Sequence, residues 1–339
     1  MDQDENDKPK VTYHRLGNSG LRVSWPILGM MAFGSPEWLA WVKNADEALP
    51  IIKMAWDRGV NTFDTANVYS QGESERVIAK FLKTYDIPRS KVLILTKCHR
   101  LVAAVPSVQP PAARALMATR DYVNQHGLSR AAIFNAVSDS LARLETDSID
   151  LLQIHRYDPA TPAEETMEAL HDLVVAGKVR YLGACTMLAW QLQAYQQVAE
   201  SRGWTGFVSM QSNWSLLTRE DEREVNAYCR YKGIGLIPWG PLASGLLARP
   251  LGEETERTKL TSGASFTSFE TTEQDREIIR RVEGVARARG CAMGCVALAW
   301  LSGRIVSPVV GISSEQRLDE AILGDMQLTE EERECLEEP

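Results

Sequence analysis

Three ionisable residues close three successive apolar runs of this 339-residue chain: NTFD ends in Asp64, VLILTK in Lys97 and DLLQIH in His155. If the runs are neighbouring parallel strands, ~4.8 Å apart, a carboxylate, an amine and an imidazole fall within about 10 Å of one another. Tyr69 follows Asp64 by five residues, close enough for its loop to fold back over the same strand ends. One such residue at a strand end is ordinarily a solvated rim residue or half of an ion pair. Four of complementary type are a site.

The chemistry of the set is acid–base chemistry at a carbonyl. A tyrosine hydroxyl, with an ordinary pKa of about 10, is a weak proton donor at neutral pH. A lysine ammonium beside it favours the phenolate and pulls that pKa down, while a carboxylate keeps the lysine charged and oriented. An imidazole N–H donated to a carbonyl oxygen polarises the C=O bond. A lysine on a barrel strand also admits a second reading, a Schiff base with a carbonyl substrate.

The elements that must position these residues alternate strand and helix. Apolar runs at 27–31, 60–63, 92–96, 150–154, 179–183, 207–210, 234–238 and 306–311 supply eight strands, the number a closed parallel barrel needs. Amphipathic stretches at 45–58, 73–85, 130–144, 162–176, 189–202, 220–232, 273–289 and 315–323 read as the helices between them. Ser129 is placed to cap the helix RAAIFNAV, Pro162 to open AEETMEAL, and Gly59, Gly177 and Gly233 to terminate three others. Ahead of the barrel, VTYHRLGNSGLRVSWP reads as a hairpin turning at Gly17-Asn18-Ser19-Gly20. Two connections, 98–128 and 242–272, are far longer than usual, and both follow strands, on the face where barrel sites are built. The expected fold is α/β: one (β/α)₈ TIM barrel over residues 11–339, with an N-terminal β-hairpin, two long loops on the C-terminal face, and a disordered tail at 1–10.

Composition narrows the setting. Lys+Arg 37 against Asp+Glu 45 gives a net charge of −8, spread along the chain, which argues against nucleic acid as a partner. No apolar run approaches the ~18 residues of a membrane span. MDQDENDKPK has no apolar signal core, so a cytoplasmic protein with reduced cysteines is expected. Cys291 and Cys295 lie four apart without the His or carboxylate spacing of a zinc site, and no metal is expected. Nothing fixes an oligomeric state.

Taken with GVNTFDTANVYSQGESE, LTKCHR, DSIDLLQIHRYDP, GKVRYLGA, MQSNWSLL, IPWGPLASG and PVVGISSEQRLDEAI, the chain resembles the aldo-keto reductase superfamily over about residues 12–338, and most closely its fungal and bacterial branch of aryl-alcohol dehydrogenases and mycotoxin-pathway reductases. The resemblance implies Asp64, Tyr69, Lys97 and His155 as catalytic tetrad, NADP(H) as cofactor, and a small-molecule carbonyl substrate, aromatic or from secondary metabolism. With neither GxGxxG nor a P-loop present, the cofactor would lie extended along the barrel mouth, as in that family. Carried over by position, its nicotinamide end would meet Asp64, Cys185, Thr186, Gln211 and Trp239. The pyrophosphate would meet Gly240, Pro241, Leu242 and Ser244, and the adenosine phosphate Gly311, Ser313, Arg317 and Glu320. Cys185-Thr186 stands where the family commonly has Ser-Asn or Ser-Ser, Gly240 where it has Ser, and Ser314 where it has Arg or Lys. Arg317 is then the guanidinium available to a phosphate. Some relatives are NADPH-binding channel subunits of slow turnover, a third reading beside reductase and aldolase.

Overall fold

The structure, a computed structural model, describes residues 11–108, 110–253, 271–324 and 326–338. The expected tail at 1–10, and most of the loop expected at 242–272, lie outside the described residues. Eight parallel strands follow one another round a sheet: β3 (Ile27–Gly29), β4 (Thr62–Asp64), β5 (Leu93–Cys98), β6 (Ile149–Ile154), β7 (Val179–Cys185), β8 (Phe207–Gln211), β9 (Gly235–Leu236) and β10 (Val309–Val310), the last pairing with the first. Val306 N donates to Leu236 O at 2.9 Å and Val309 N to Pro238 O at 2.8 Å, which closes the sheet into the (β/α)₈ barrel.

The expected hairpin is β1 (Thr12–Arg15) against β2 (Arg22–Trp25), antiparallel. It plugs the end of the barrel away from the tetrad. Its Leu16 and Val23 are fully buried with Ile27, Leu95, Leu151, Ile237 and Val309 in one apolar cluster. Gly17, at φ 56°, fits because a Cβ there would stand 2.5 Å from Gly233 O.

The helices largely fall where periodicity places them, including Arg130–Leu144, Ala189–Arg202 and Glu273–Arg289. Ser129 Oγ accepts from Ala132 N as an N-cap should. Two details differ. The helix expected from 162 begins at Ala163, and Thr161 donates to Asp158 rather than capping. The stretch 220–232 divides into a turn at Glu220–Glu222 and a helix at Val225–Lys232, because Glu224 leaves helical geometry. Two further helices, Met293–Leu301 and Glu330–Glu337, pack outside the barrel, and Pro110–Leu116 gives the first long loop a helix of its own.

Candidate active site

The four expected catalytic residues meet at the C-terminal ends of β4, β5 and β6. Asp64, 2% exposed, is the hub. Its Oδ2 accepts from Lys97 Nζ at 2.6 Å, and its Oδ1 accepts from Gln153 Nε2 at 2.9 Å and Gln211 Nε2 at 2.8 Å. Lys97 Nζ also donates to Thr65 O at 2.8 Å and, more weakly, to Tyr69 Oη at 3.5 Å. A buried ion pair persists only where its remaining hydrogen-bonding capacity is filled, and here it is. Gln153 was not expected at the site. It sits beside Lys97 in the strand register, in space left by Gly183, where a Cβ would approach Gln153 Cγ to 3.0 Å and Ser209 Oγ to 2.5 Å.

Tyr69 opens the short turn Tyr69–Gly72, in which Ser70 (φ 51°) and Gln71 (φ 53°) are both left-handed. Two adjacent non-glycine residues in that region store roughly 1–3 kcal/mol each, and something must hold them. The Gln71 side chain does so: its Oε1 accepts from Ala103 N at 2.8 Å and its Nε2 donates to Val108 O at 2.9 Å, tying the tyrosine turn to the first long loop. Behind the turn, Arg143 lies against Gly72 and donates to the fully buried Glu75 at 2.7 Å. Trp38 and His155 flank the phenol, with ring centroids 6.3 and 6.1 Å from it.

Electrostatics assign the resting protonation states. Burial drives the Tyr69 pKa upward and outweighs the Lys97 ammonium, which acts in the opposite direction. The lowering expected from sequence is therefore present as a force but not as the net result, and the phenol stays protonated. For Lys97 burial opposes the charge, but Asp64 and its other neighbours outweigh it, and the amine is held cationic. His155 falls well below its ordinary value, through burial first and then the Lys97, Arg156 and Arg100 charges, so its imidazole is neutral. Cys98, next to Lys97, is pushed up to about 12 by burial and is an inert thiol.

Of the positions expected to meet a cofactor, Gln211 joins the Asp64 hub, and Cys185 lies beside it in register at the end of β7. Thr186, at φ 44°, accepts from Trp239 Nε1 at 3.1 Å and fixes that indole. Gly240 (φ 66°), Pro241 and Leu242 lead into a left-handed turn of Ala243, Ser244 and Gly245. Arg249 folds back over this turn; a Cβ on Gly245 would stand 2.9 Å from its Nη2. Arg249 was not expected, and no motif marks it. Gly311 and Ser313 are exposed. Ser314 caps the helix Glu315–Ala321, accepting from Arg317 N. Arg317 is paired to Glu320 and donates to Ala248 O at 3.3 Å, which brings the 311–320 segment against the turn.

The fold and the groups at its mouth are those of a barrel oxidoreductase. The chain belongs to the Aldo/keto reductase family, which it matches over residues 27–338. It is 49% identical to an aldo-keto reductase of Fusarium vanettenii, over 99% of this chain and 93% of that one. It is 47% identical to the versiconal hemiacetal acetate reductase of Aspergillus parasiticus, over 97% of each. It is 44% identical to a Schizosaccharomyces pombe protein named provisionally as an aryl-alcohol dehydrogenase, over 96% of this chain and 95% of that one. The family's activity is carbonyl oxidoreduction, generally with NAD(P)H. Among the described residues no helix is long and apolar enough to cross a membrane.

Proposed function

We propose that this chain is an NADPH-dependent reductase that converts the carbonyl of an aldehyde or ketone to an alcohol, with Tyr69 as general acid. It works as one barrel domain over residues 11–339, in the cytoplasm. The observation that carries the reading is the line from Asp64 through Lys97 Nζ to Tyr69 Oη, 2.6 and then 3.5 Å, ending on a protonated phenol.

The residues present suit a dinucleotide. The Thr186–Trp239 pair presents an indole to the mouth, the turn at Ala243–Gly245 is tight enough for close approach, and Arg249 and Arg317 bring two guanidiniums to the phosphate end. When bound, the nicotinamide supplies the hydride. Everything else falls to the protein. The neutral His155 polarises the carbonyl oxygen, Tyr69 delivers its proton to the alkoxide that develops there, and Lys97 stabilises the phenolate left behind. Asp64, held by Gln153 and Gln211, keeps the ammonium aimed at the hydroxyl. A Schiff base on Lys97 is disfavoured by the same geometry, since that chemistry needs an uncharged amine. The relatives' names point to aromatic or secondary-metabolite carbonyls as first substrates to try.

General acid help is worth ~10²–10⁴-fold. Tyr69→Phe is therefore expected to depress NADPH oxidation with an aromatic aldehyde by at least about a hundredfold, while NADPH binding by fluorescence stays within twofold. Undiminished turnover in that variant rejects the mechanism. Slow turnover of every carbonyl offered, together with a stable protein complex, would favour the regulatory-subunit reading.

A further inference from the structure

The dipeptide His-Arg occurs twice at the barrel mouth, as His99-Arg100 after β5 and His155-Arg156 after β6. The arginines stand apart from most others in the chain. Arg89, Arg143, Arg219, Arg289 and Arg304 each meet a carboxylate. Arg100 and Arg156 meet none among the described residues. Arg156 is part-buried; its Nη1 donates to His155 O at 2.6 Å and lies 3.6 Å from Cys185 Sγ, which places the guanidinium between the ends of β6 and β7, beside the tetrad. Arg100 is anchored through its backbone, Asn67 Nδ2 donating to its carbonyl at 3.2 Å, and its side chain is exposed.

Among the described residues, the two carboxylates at this edge of the mouth are already engaged. Asp64 is committed to Lys97, Gln153 and Gln211. Asp158 accepts from Leu128 N, Ala160 N and Thr161 Oγ1. His155 and His99 are uncharged at neutral pH, His99 falling to about 4 chiefly through burial. Two guanidiniums with no carboxylate partner among the described residues thus stand at the opening of a protein whose net charge is −8. Like charges brought together at a cleft lose stability, and the Arg156 guanidinium lies close enough to Arg100 to act on its charge. Such an arrangement is relieved by an anion. A cleft of one sign also concentrates ligands of the other.

We propose that Arg100 and Arg156 form an anion subsite that selects carbonyl substrates bearing a carboxylate close to the reducible C=O, such as 2-oxo acids. In that pose the carbonyl oxygen faces Tyr69 and His155 while the carboxylate takes the fork of Arg156, with Arg100 covering it from the rim. The proposal rests on the reductase reading above and adds the substrate's charge to it.

The test compares phenylglyoxylate with its methyl ester, the same carbonyl with and without the anion. Wild-type kcat/KM with NADPH is expected to favour the acid by at least about tenfold, the scale of one charge-assisted hydrogen bond. That preference should shrink as NaCl is raised. In R156M the acid-to-ester ratio falls at least about tenfold, and in R100M, whose side chain makes no hydrogen bond or ion pair among the described residues, about threefold. Equal rates for acid and ester in the wild type, or a ratio unmoved by both variants, overturns the proposal while leaving carbonyl reduction intact. Calorimetric binding of phenylglyoxylate to the wild type and to R156M reads the subsite without turnover. If nothing is reduced, the reductase reading fails, and binding that R156M weakens still upholds the subsite. Absence of binding to the wild type rejects the subsite by itself.

Discussion

The two sides of the barrel mouth are built on different principles. On the acid–base side, Asp64, Lys97, Gln153 and Gln211 are all at most 2% exposed, and the charges and amides satisfy one another across four strands. On the other side the key groups are a left-handed turn at Ala243–Gly245, Arg249 on the loop that follows it, and Arg317 in the first turn of the short helix Glu315–Ala321, 68 residues further on. A closed network on strands fixes one geometry before any ligand arrives. A cradle of loop and helix end keeps its charges partly internally paired, as Arg317 is with Glu320, and must trade those partners for a ligand. The first arrangement suits proton transfer, where small displacements cost rate. The second suits a large ligand that must enter and leave.

If that contrast is right, the largest effect comes from cutting the network at its centre. Lys97→Met removes the cation and strands the buried Asp64 carboxylate. Breaking one partner of a buried pair typically costs ~3–5 kcal/mol, and the phenol loses its stabilising charge as well. We expect kcat to fall at least about a thousandfold, at the strong end of general-acid losses, with a clearly lowered urea midpoint. Lys97→Met together with Asp64→Leu should recover much of the stability and none of the activity. A double variant as unstable as the single one would mean that the pair does not act as the unit its geometry implies.

Next comes the tyrosine turn, where the two principles meet. Gln71 is a loop residue that acts like a network residue, bonding Ala103 and Val108 while its own backbone is strained. Gln71→Ala releases both bonds. The left-handed pair keeps its backbone bonds, Gln71 N to Val68 O among them, but loses its tie to the long loop, and kcat should drop about tenfold, the scale of one to two hydrogen bonds lost from a positioned group. Proteolytic nicking should rise selectively in 99–128, while the overall melting point moves little. Gln71→Glu, which keeps the acceptor for Ala103 N, should recover part of kcat. A KM-only effect, or nicking spread over the whole chain, would count against a positioning role.

The same division decides what was legible in the chain. Eight strands and most helices follow from apolar runs and 3.6-residue periodicity, and Asp64, Lys97 and His155 announce themselves because strand ends are where a barrel does chemistry. Met293–Leu301 escaped because every residue in it but Cys295 is buried, which erases the amphipathic period. Glu330–Glu337 buries only Leu336, although the Thr329–Glu332 capping box was a readable start signal. Gln153 reads as one more strand residue until Gly183 is seen to make room for it. Arg249 and the grip of Gln71 depend on loop conformations that propensity does not fix. For the same reason the missing basic residue at Ser314 has two candidate replacements, and sequence alone nominated only Arg317.

The smallest effect should fall on that nomination. Arg317 already spends part of its charge on Glu320, so its gain on meeting a phosphate is the difference between two ion pairs and not the whole of one. Arg317→Ala should therefore raise the KM for NADPH only about threefold and leave NADH unchanged. Arg249, which has no carboxylate ion pair among the described residues, should matter more, with Arg249→Ala raising KM for NADPH about tenfold. The double variant separates the two. Additive losses mean that the arginines serve different phosphate oxygens. A double variant no worse than Arg249→Ala means that Arg317 serves Glu320 within its own helix, and that the charge lost at Ser314 has moved to the turn. An unchanged NADPH-to-NADH ratio in all three would take both arginines out of cofactor selection and leave the loop side of the mouth to bind by shape.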